Sequence, residues 1–310
     1  MDYPKKTFRM ANLKLTSLHL LLTYQCVFEC DHCFVWGSPR QSGTMTLGQI
    51  REILRQAHEA GSIESIYFEG GEPFLYYPVL VKGVQEAARQ GFQTGVVSNA
   101  FWATNLEDAI EWLRPLAGLI QDLSVSSDLF HWTERISQNV ENARKAAEQL
   151  GIPIGMIEVS QPEETNLMDA FGQLSQGASA VMYRGRAAEN LTGRVTWQPW
   201  EQFTKCPHED LQEIGRGHLD PLGNLHACQG ISIGNIFEKS LKELIESYKF
   251  ETHPIIGALV QGGPVELVRR FDLGHSDTYA DACHLCYTSR QLLRGRFPEI
   301  LTPDQMYGVF

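Results

Sequence analysis

Between Ser17 and Gly185, short apolar runs alternate with amphipathic stretches, and this alternation limits the fold more than any other feature of the chain. The run SLHLLLTY (17–24) predicts a buried strand, and TMTLGQIREILRQAHEAG (44–61) predicts a helix. In that helix Thr46 and Gln49 form a capping box, Leu47, Ile50, Ile53, Leu54 and Ala57 make one apolar face, and Gly61 is the stop. SIYFEGGEP is a second strand ending in a glycine turn, followed by a helix over 78–90. FQTGVVSNA, IQDLSVSSD and IPIGMIEVS are the next three strands, separated by helices over 105–116 and 133–150. The second of these helices carries Ile136, Val140, Ala143, Ala147 and Leu150 on one side. A weak helix then leads to ASAVMYRG, the sixth strand. Strand–helix repeats of this kind pair in parallel through right-handed crossovers. The expected fold is therefore α/β, a partial (β/α)6 TIM-like barrel, because nothing after Arg186 supplies two more units. In such folds chemistry sits at the carboxyl ends of the strands. That rule puts the loop after the first strand, EGGEP, SNAFW, SSDLFHW and YRGRA on one rim.

Past about Ala188 the pattern changes. GHLDPLGNLHAC reads as a hairpin turning at Pro221, Gly223 and Asn224. Residues 240–250 and 265–271 read as short helices, and a terminal helix is expected from about Thr288. The expected division is a barrel over 1–188 and a smaller second lobe over 189–310.

The chain has seven cysteines, and they divide three and four. Cys26, Cys30 and Cys33 form C-x3-C-x2-C directly after the first strand. Cys206, Cys228, Cys283 and Cys286 all lie in the second lobe, the last two as C-x2-C. Four thiolates are the usual complete ligand set of an iron–sulfur cluster. Three leave one iron open, in the way that a catalytic zinc keeps an open position and a structural zinc does not. Zinc remains an alternative for both sets, with His32 as a fourth ligand in the first and C-x2-C as part of a zinc ribbon in the second.

A formal net charge of −11 disfavours a general nucleic-acid binder, which needs clustered Lys and Arg against phosphate. Arg290, Arg294 and Arg296 cluster near the C-terminus, and the reading for them is a solvated helix end. The opening MDYPKKTFRMANLK is not followed by a signal-peptide core, and LHLLL is far too short to span a membrane. The expectation is a cytoplasmic protein without nucleic-acid or membrane partners, whose cysteines serve as metal ligands or catalytic groups in place of disulfides.

Cys26-x3-Cys30-x2-Cys33 after the first strand, joined to Gly70-Gly71-Glu72-Pro73 after the second, resembles the radical S-adenosylmethionine (SAM) enzymes over residues 15–186. The resemblance implies that Cys26, Cys30 and Cys33 hold a [4Fe–4S] cluster. The unique iron of that cluster takes the amino and carboxylate groups of SAM. Reductive cleavage then yields a 5′-deoxyadenosyl radical, which removes a hydrogen atom from substrate. It further implies that His32 lies against the adenine and that Gly70, Gly71, Glu72 and Pro73 meet the cofactor's ammonium group. Ser98, Asn99, Ser124, Ser126 and Asp128 are implied contacts of the ribose or the methionyl carboxylate. Gly155, Met156 and Ile157 are implied to line the adenine, and Arg184 to meet the carboxylate. The second lobe resembles the twitch domain, a shortened relative of the SPASM domain. That implies a fully ligated auxiliary [4Fe–4S] cluster on Cys206, Cys228, Cys283 and Cys286. A flavodoxin- or ferredoxin-type protein is the implied electron donor.

A fully ligated second cluster suits electron transfer, so the expected reaction is oxidation (dehydrogenation) of a small molecule. The alternative is a maturase that cross-links or otherwise modifies a ribosomal peptide, and a zinc-stabilised scaffold without activity is a further one. Only 25 residues precede Cys26, which favours the small molecule over a peptide needing its own recognition domain. Peptide epimerisation is disfavoured because no cysteine is left to return a hydrogen atom. The aromatic residues Phe101, Trp102, Phe130, His131 and Trp132 at strand ends are the expected substrate pocket, with His131 a candidate base.

Overall fold

A computed structural model describes residues 13–133, 137–163 and 178–309. The strands β1 (Ser17–Thr23), β2 (Ser65–Gly70), β3 (Gln93–Ser98), β4 (Asp122–Ser126), β5 (Ile154–Val159) and β6 (Ala178–Ser179) lie in chain order and pair in parallel. This is the expected partial TIM-barrel-like sheet. The sixth strand is only two residues long, with Ala178 opposite Glu158 and Ser179 opposite Val159. The weak helix expected before it, and Ile136 of the helix over 133–150, lie outside the described residues.

The helices follow from their caps. α1 (Leu47–Ala60) starts at Thr46, whose hydroxyl accepts from Gln49 N while Thr46 N donates to Gln49 Oε1. It ends at Gly61 in the left-handed region. α2 (Tyr77–Arg89), α3 (Leu106–Leu113, capped by Asn105) and α4 (Gln138–Gln149, capped by Ser137) complete the outer layer. Strand alternation aims Leu18, Leu20 and Leu22 of β1 and Ile66 and Phe68 of β2 at this layer, and all five are fully buried. Each such side chain contributes about 1.5–3 kcal/mol on burial.

The region after 188 is not set apart from the sheet. β8 (Arg216–Leu219) pairs in parallel with β1, so that His218 stands opposite His19. β9 (Asn224–Cys228) and β10 (Ile231–Asn235) then extend the sheet antiparallel, giving the order β10-β9-β8-β1-β2-β3-β4-β5-β6. The physical reason is the edge. An open barrel leaves β1 with a row of unpaired backbone groups, and β8 covers them. A separate two-stranded ribbon joins β7 (Gln198–Pro199) to β11 (Thr278–Tyr279).

Buried polar bonds reinforce the join. Tyr24 OH donates to Asp220 Oδ2 at 3.1 Å, and the same carboxylate takes Asn224 N, Asn224 Nδ2 and Leu222 N at 2.9 Å each. Gln56 of α1, itself buried, donates to Ile236 O and accepts from Leu241 N. The terminal helix begins at Ala282, six residues earlier than expected, so Cys283 and Cys286 sit in its first turns under an Asp281 cap. The helix expected over 265–271 is the end of a longer one, Pro254–Phe271, broken at Gly262 and Gly263. Among the described residues no helix is long and apolar enough to cross a membrane.

Tyr24→Phe removes a buried donor to an ionised acceptor, for which a loss of about 1–3 kcal/mol is expected. Urea unfolding under anaerobic conditions reads it. A variant as stable as wild type would mean that the Tyr24–Asp220 bond does not hold the two regions together.

Candidate active site

The loop between β1 and α1 carries Cys26, Cys30 and Cys33, and all three line a cavity of about 720 Å³ inside the barrel. Backbone and side-chain donors aim at the sulfurs. Phe28 N is 3.4 Å and Asn99 Nδ2 3.5 Å from Cys26 Sγ, and Gly37 N is 3.2 Å from Cys33 Sγ. Burial pushes the Cys26 thiol up to about 12 and Cys30 higher still. Thiols held neutral in this way are inert as nucleophiles, whereas a bound metal would draw off their protons outright.

Arg186, not singled out in the sequence, holds this loop. Its Nη1 donates to Cys30 O at 2.8 Å and its Nη2 to Gly37 O at 2.9 Å, while its backbone N donates to Cys33 O. The guanidinium lies 5.3 Å from the Trp36 ring centroid. A Cβ on neighbouring Gly185 would stand 2.6 Å from Cys33 O, so the close approach of this turn needs a glycine. The repeated RGR carries no periodicity that would have distinguished Arg186 from Arg184.

Gly70 and Gly71 line the cavity. Gly71 N donates to Thr23 O at 2.7 Å, and a Cβ there would come within 2.1 Å of Gln25 O. The glycine pair thus lets the end of β2 close onto the start of the cysteine loop. Glu72 and Pro73 do not line the cavity. Glu72 is fully buried, and its carboxylate caps the following turn by accepting from Phe74 N, Ser98 Oγ and Asn99 N at 2.8–3.0 Å. Pro73 is the first residue of that 3-10 turn. The expected contact of the Glu72 carboxylate with a cofactor is corrected accordingly, since both its oxygens serve the protein's own backbone and Ser98.

Ser98, Asn99, Ser124, Ser126 and Asp128 line the cavity. Asp128 Oδ1 accepts from His131 Nδ1 at 2.8 Å and from Phe130 N at 3.0 Å, while its buried Oδ2 has no partner. His32 lines the same wall, 4.6 Å from the Phe130 ring and 5.1 Å from His131. Burial pushes it down to about 4, so it is neutral at pH 7. On β5 alternation turns Ile157 into the cavity and Met156 away, and Met156 is 43% exposed. Gly155 is absent from the lining.

The aromatic residues separate into two groups. His131 lines the cavity, and Phe130 and Trp132 pack around it, Trp132 edge-on to Phe28 at 5.1 Å. Phe101 and Trp102 do not belong to it. Trp102 is buried, stacks on Phe74 at 4.5 Å and donates Nε1 to Ser98 Oγ, while Phe101 packs on the core. The helix-to-sheet interface takes them because both sides there are apolar.

Cys206, Cys228, Cys283 and Cys286 meet around a second, small cavity with Arg184 and Arg290 in its wall. Arg184 borders both cavities, and its Nη1 is 3.0 Å from Cys228 Sγ and 3.4 Å from Glu209 Oε1. Its Nη1 thus faces the second cysteine set, while the residue also lines the large cavity where a cofactor carboxylate was expected to meet it. Burial alone would lower Arg184, but Cys228, Cys283 and Glu209 hold it above its ordinary value. Arg290 is corrected from a solvated helix end. It is 1% exposed, donates to Gln229 O at 2.8 Å and lies 5.5 Å from the Tyr287 centroid, whereas Arg296 remains at the surface. Helical spacing puts Arg290 four residues after Cys286, facing the sulfurs. Burial pushes Cys286 up to about 12 and Cys283 far above the ordinary thiol value.

Residues 20–151 match the Radical SAM superfamily. Over 194 residues it is 25% identical to YydG of Bacillus subtilis (strain 168), a protein provisionally named for peptide biosynthesis. The aligned part is 61% of this chain and 60% of that protein. Among solved structures, Streptococcus suis SuiB bound to its precursor peptide SuiA aligns at TM-score 0.55 and 12% identity, over 87% of this chain and 75% of SuiB. Native anSMEcpe with bound AdoMet aligns at 0.53 and 14%, over 92% of this chain and 97% of the other. At these identities the two structures speak to the fold alone.

Burial outweighs the donors on Glu72 and raises its carboxyl to about 7. A raised carboxyl stabilises the fold fully below its unfolded value of about 4.3, and the contribution is lost as pH rises through 7. Between pH 6 and 8, unfolding free energy should fall with pH in wild type and fall less steeply in Glu72→Gln, as read by denaturant melts. Parallel slopes would contradict this placement of the carboxyl.

Proposed function

We propose that the protein is a radical SAM enzyme of two [4Fe–4S] clusters that oxidises a residue of a peptide. The observation that carries the reading is the pair of cysteine sets, three thiols lining the large cavity and four lining the small one, with Arg184 bordering both. The residues fit the groups. Three sulfurs with N–H donors aimed at two of them suit a cluster with one open iron, and four sulfurs flanked by two buried arginines suit a closed, anionic one. Bound at Cys26, Cys30 and Cys33 with SAM, the first cluster supplies the one-electron cleavage that yields a 5′-deoxyadenosyl radical. Held by Cys206, Cys228, Cys283 and Cys286 in a twitch- or SPASM-like region over 189–310, the second supplies an electron acceptor.

The chain's own groups do the rest. Gly70 and Gly71 offer backbone at the mouth of the cysteine loop, and Ser98, Asn99, Ser126 and Asp128 offer polar atoms on the strand ends above the lumen. Asp128 and His32 line the cavity, and Asp128 Oδ2 and His32 Nδ1 are buried without partners, bonding capacity that a bound ligand would call on. Neutral His32 and Ile157, both in the cavity lining, are the side chains against which the adenine ring would rest. Asp128 holds His131 Nδ1 at 2.8 Å, which leaves Nε2 to take a proton from the substrate. A peptide is preferred over the small molecule expected above, because the relative with the long alignment is named for peptide biosynthesis and SuiB binds a precursor peptide. A flavodoxin or ferredoxin would reduce the first site.

Anaerobic, reduced protein should convert SAM to 5′-deoxyadenosine, and Cys30→Ala should lower this at least 100-fold. Cys283→Ala should still cleave SAM but lose product formation. Chromatography of 5′-deoxyadenosine and mass spectrometry of peptides carrying deuterium at Cα or Cβ read both. Full turnover by Cys283→Ala would contradict the electron-acceptor role, and deuterium transfer only from labelled sugars would contradict the peptide.

A further inference from the structure

The barrel lumen has a polar foot. Parallel barrels ordinarily fill this space with branched apolar side chains. Here alternation points His19 of β1, Tyr67 and Glu69 of β2, and Arg216 and His218 of β8 into it, and all five line the large cavity. Tyr67 and His218 are the two register partners of His19, and Glu69 lies one diagonal step from it. His19 Nδ1 is 2.9 Å from Glu69 Oε2, and His218 Nε2 is 3.3 Å from Glu69 Oε1. The three side chains are 12%, 13% and 7% exposed.

We propose that His19, Glu69 and His218 form a site for one divalent cation of the Zn²⁺ class, separate from both cysteine sets and with its open position facing the cavity. The donor set of two imidazoles and a carboxylate is one that zinc takes when a position is kept for water or substrate. With bonds of about 2.0–2.1 Å, ligand atoms of a tetrahedral ion stand about 3.3 Å apart. The ligating atoms of this triad lie within 4.8 Å of one another, and two of the edges are already at 2.9 and 3.3 Å. The ligands sit on three hydrogen-bonded strands, so the sheet sets their spacing. His19 also stacks flat on Tyr67, with centroids 4.6 Å apart and planes 4° apart, which orients its ring.

Charge and unmet bonding point the same way. Glu69 and His218 are both largely shielded from solvent, and the Glu69 carboxylate meets no Lys or Arg within ion-pair distance among the described residues. A buried carboxylate is ordinarily matched by a cation in contact. The Gln229 amide lies 3.4 Å from His218 Nε2, and its buried Oε1 has no partner. Turned about its long axis, that amide would present its oxygen to the ion.

The test uses the full chain with its clusters loaded, washed with chelator and dialysed anaerobically against Zn²⁺ alone. Elemental analysis should find one zinc per chain beyond the iron. Zinc-edge X-ray absorption should show a nitrogen and oxygen shell at about 2.0–2.1 Å and no sulfur at about 2.3 Å. His19→Ala and Glu69→Gln should weaken binding at least tenfold, with iron content and circular dichroism confirming that they fold. His32→Ala should bind zinc as wild type does, which excludes the His32–Asp128–His131 group. No retained zinc, or loss in His32→Ala with none in Glu69→Gln, overturns the site. A sulfur shell overturns it as well and also places zinc on the cysteines, a separate failure of the cluster reading.

Discussion

β8 lies parallel against the open edge of β1, and this one pairing brings together everything the chain has for chemistry. It carries the hairpin that ends in Cys228 onto the same sheet as the loop of Cys26, Cys30 and Cys33. It also sets His218 opposite His19 and lays Asp220 within reach of Tyr24. Without it the barrel would keep an exposed edge, and only contacts such as Trp36 Nε1 donating to Tyr287 OH at 3.0 Å would tie the first cysteine loop to the second region. The first six strands and the region after them therefore share one sheet around the cavity.

Electrostatics inside that body follow from burial. Seven thiols lie at half-buried or buried positions, and two arginines, Arg184 and Arg290, are buried beside four of them. Among the described residues, neither arginine has a direct carboxylate partner other than Glu209, 3.4 Å from Arg184. Two buried cations beside four sulfurs are the complement of an anionic group. Arg186 does a different task in the first loop, where carbonyl oxygens of Cys30 and Gly37 fix its guanidinium and the loop together.

Much of this was legible in the chain. The alternation of apolar and amphipathic runs is a direct consequence of sheet and helix periods, so five strands and α1 with its Thr46 cap fall where expected. The cysteine spacings likewise anticipated both sets. What could not be read is what depends on neighbours distant in sequence. GHLD reads as one arm of a hairpin, and nothing in it says that its other edge meets β1. Glu72 stands beside the cavity in sequence, yet three donors from the turn and from β3 draw its carboxylate inward. Trp102 looked like a pocket wall, and the apolar stack with Phe74 claimed it. The polar parity of Ser17 and His19 in SLHLLLT was a visible sign of the lumen's character that an overall reading of the run as buried concealed.

The measurement that bears most directly on the account is the iron and acid-labile sulfide content of anaerobically purified protein, together with that of two cysteine-free variants. About eight iron and eight sulfide per chain are expected. About four of each should remain when Cys26, Cys30 and Cys33 are all replaced by alanine, and about four when Cys206, Cys228, Cys283 and Cys286 are. Zinc on either cysteine set without labile sulfide would contradict it.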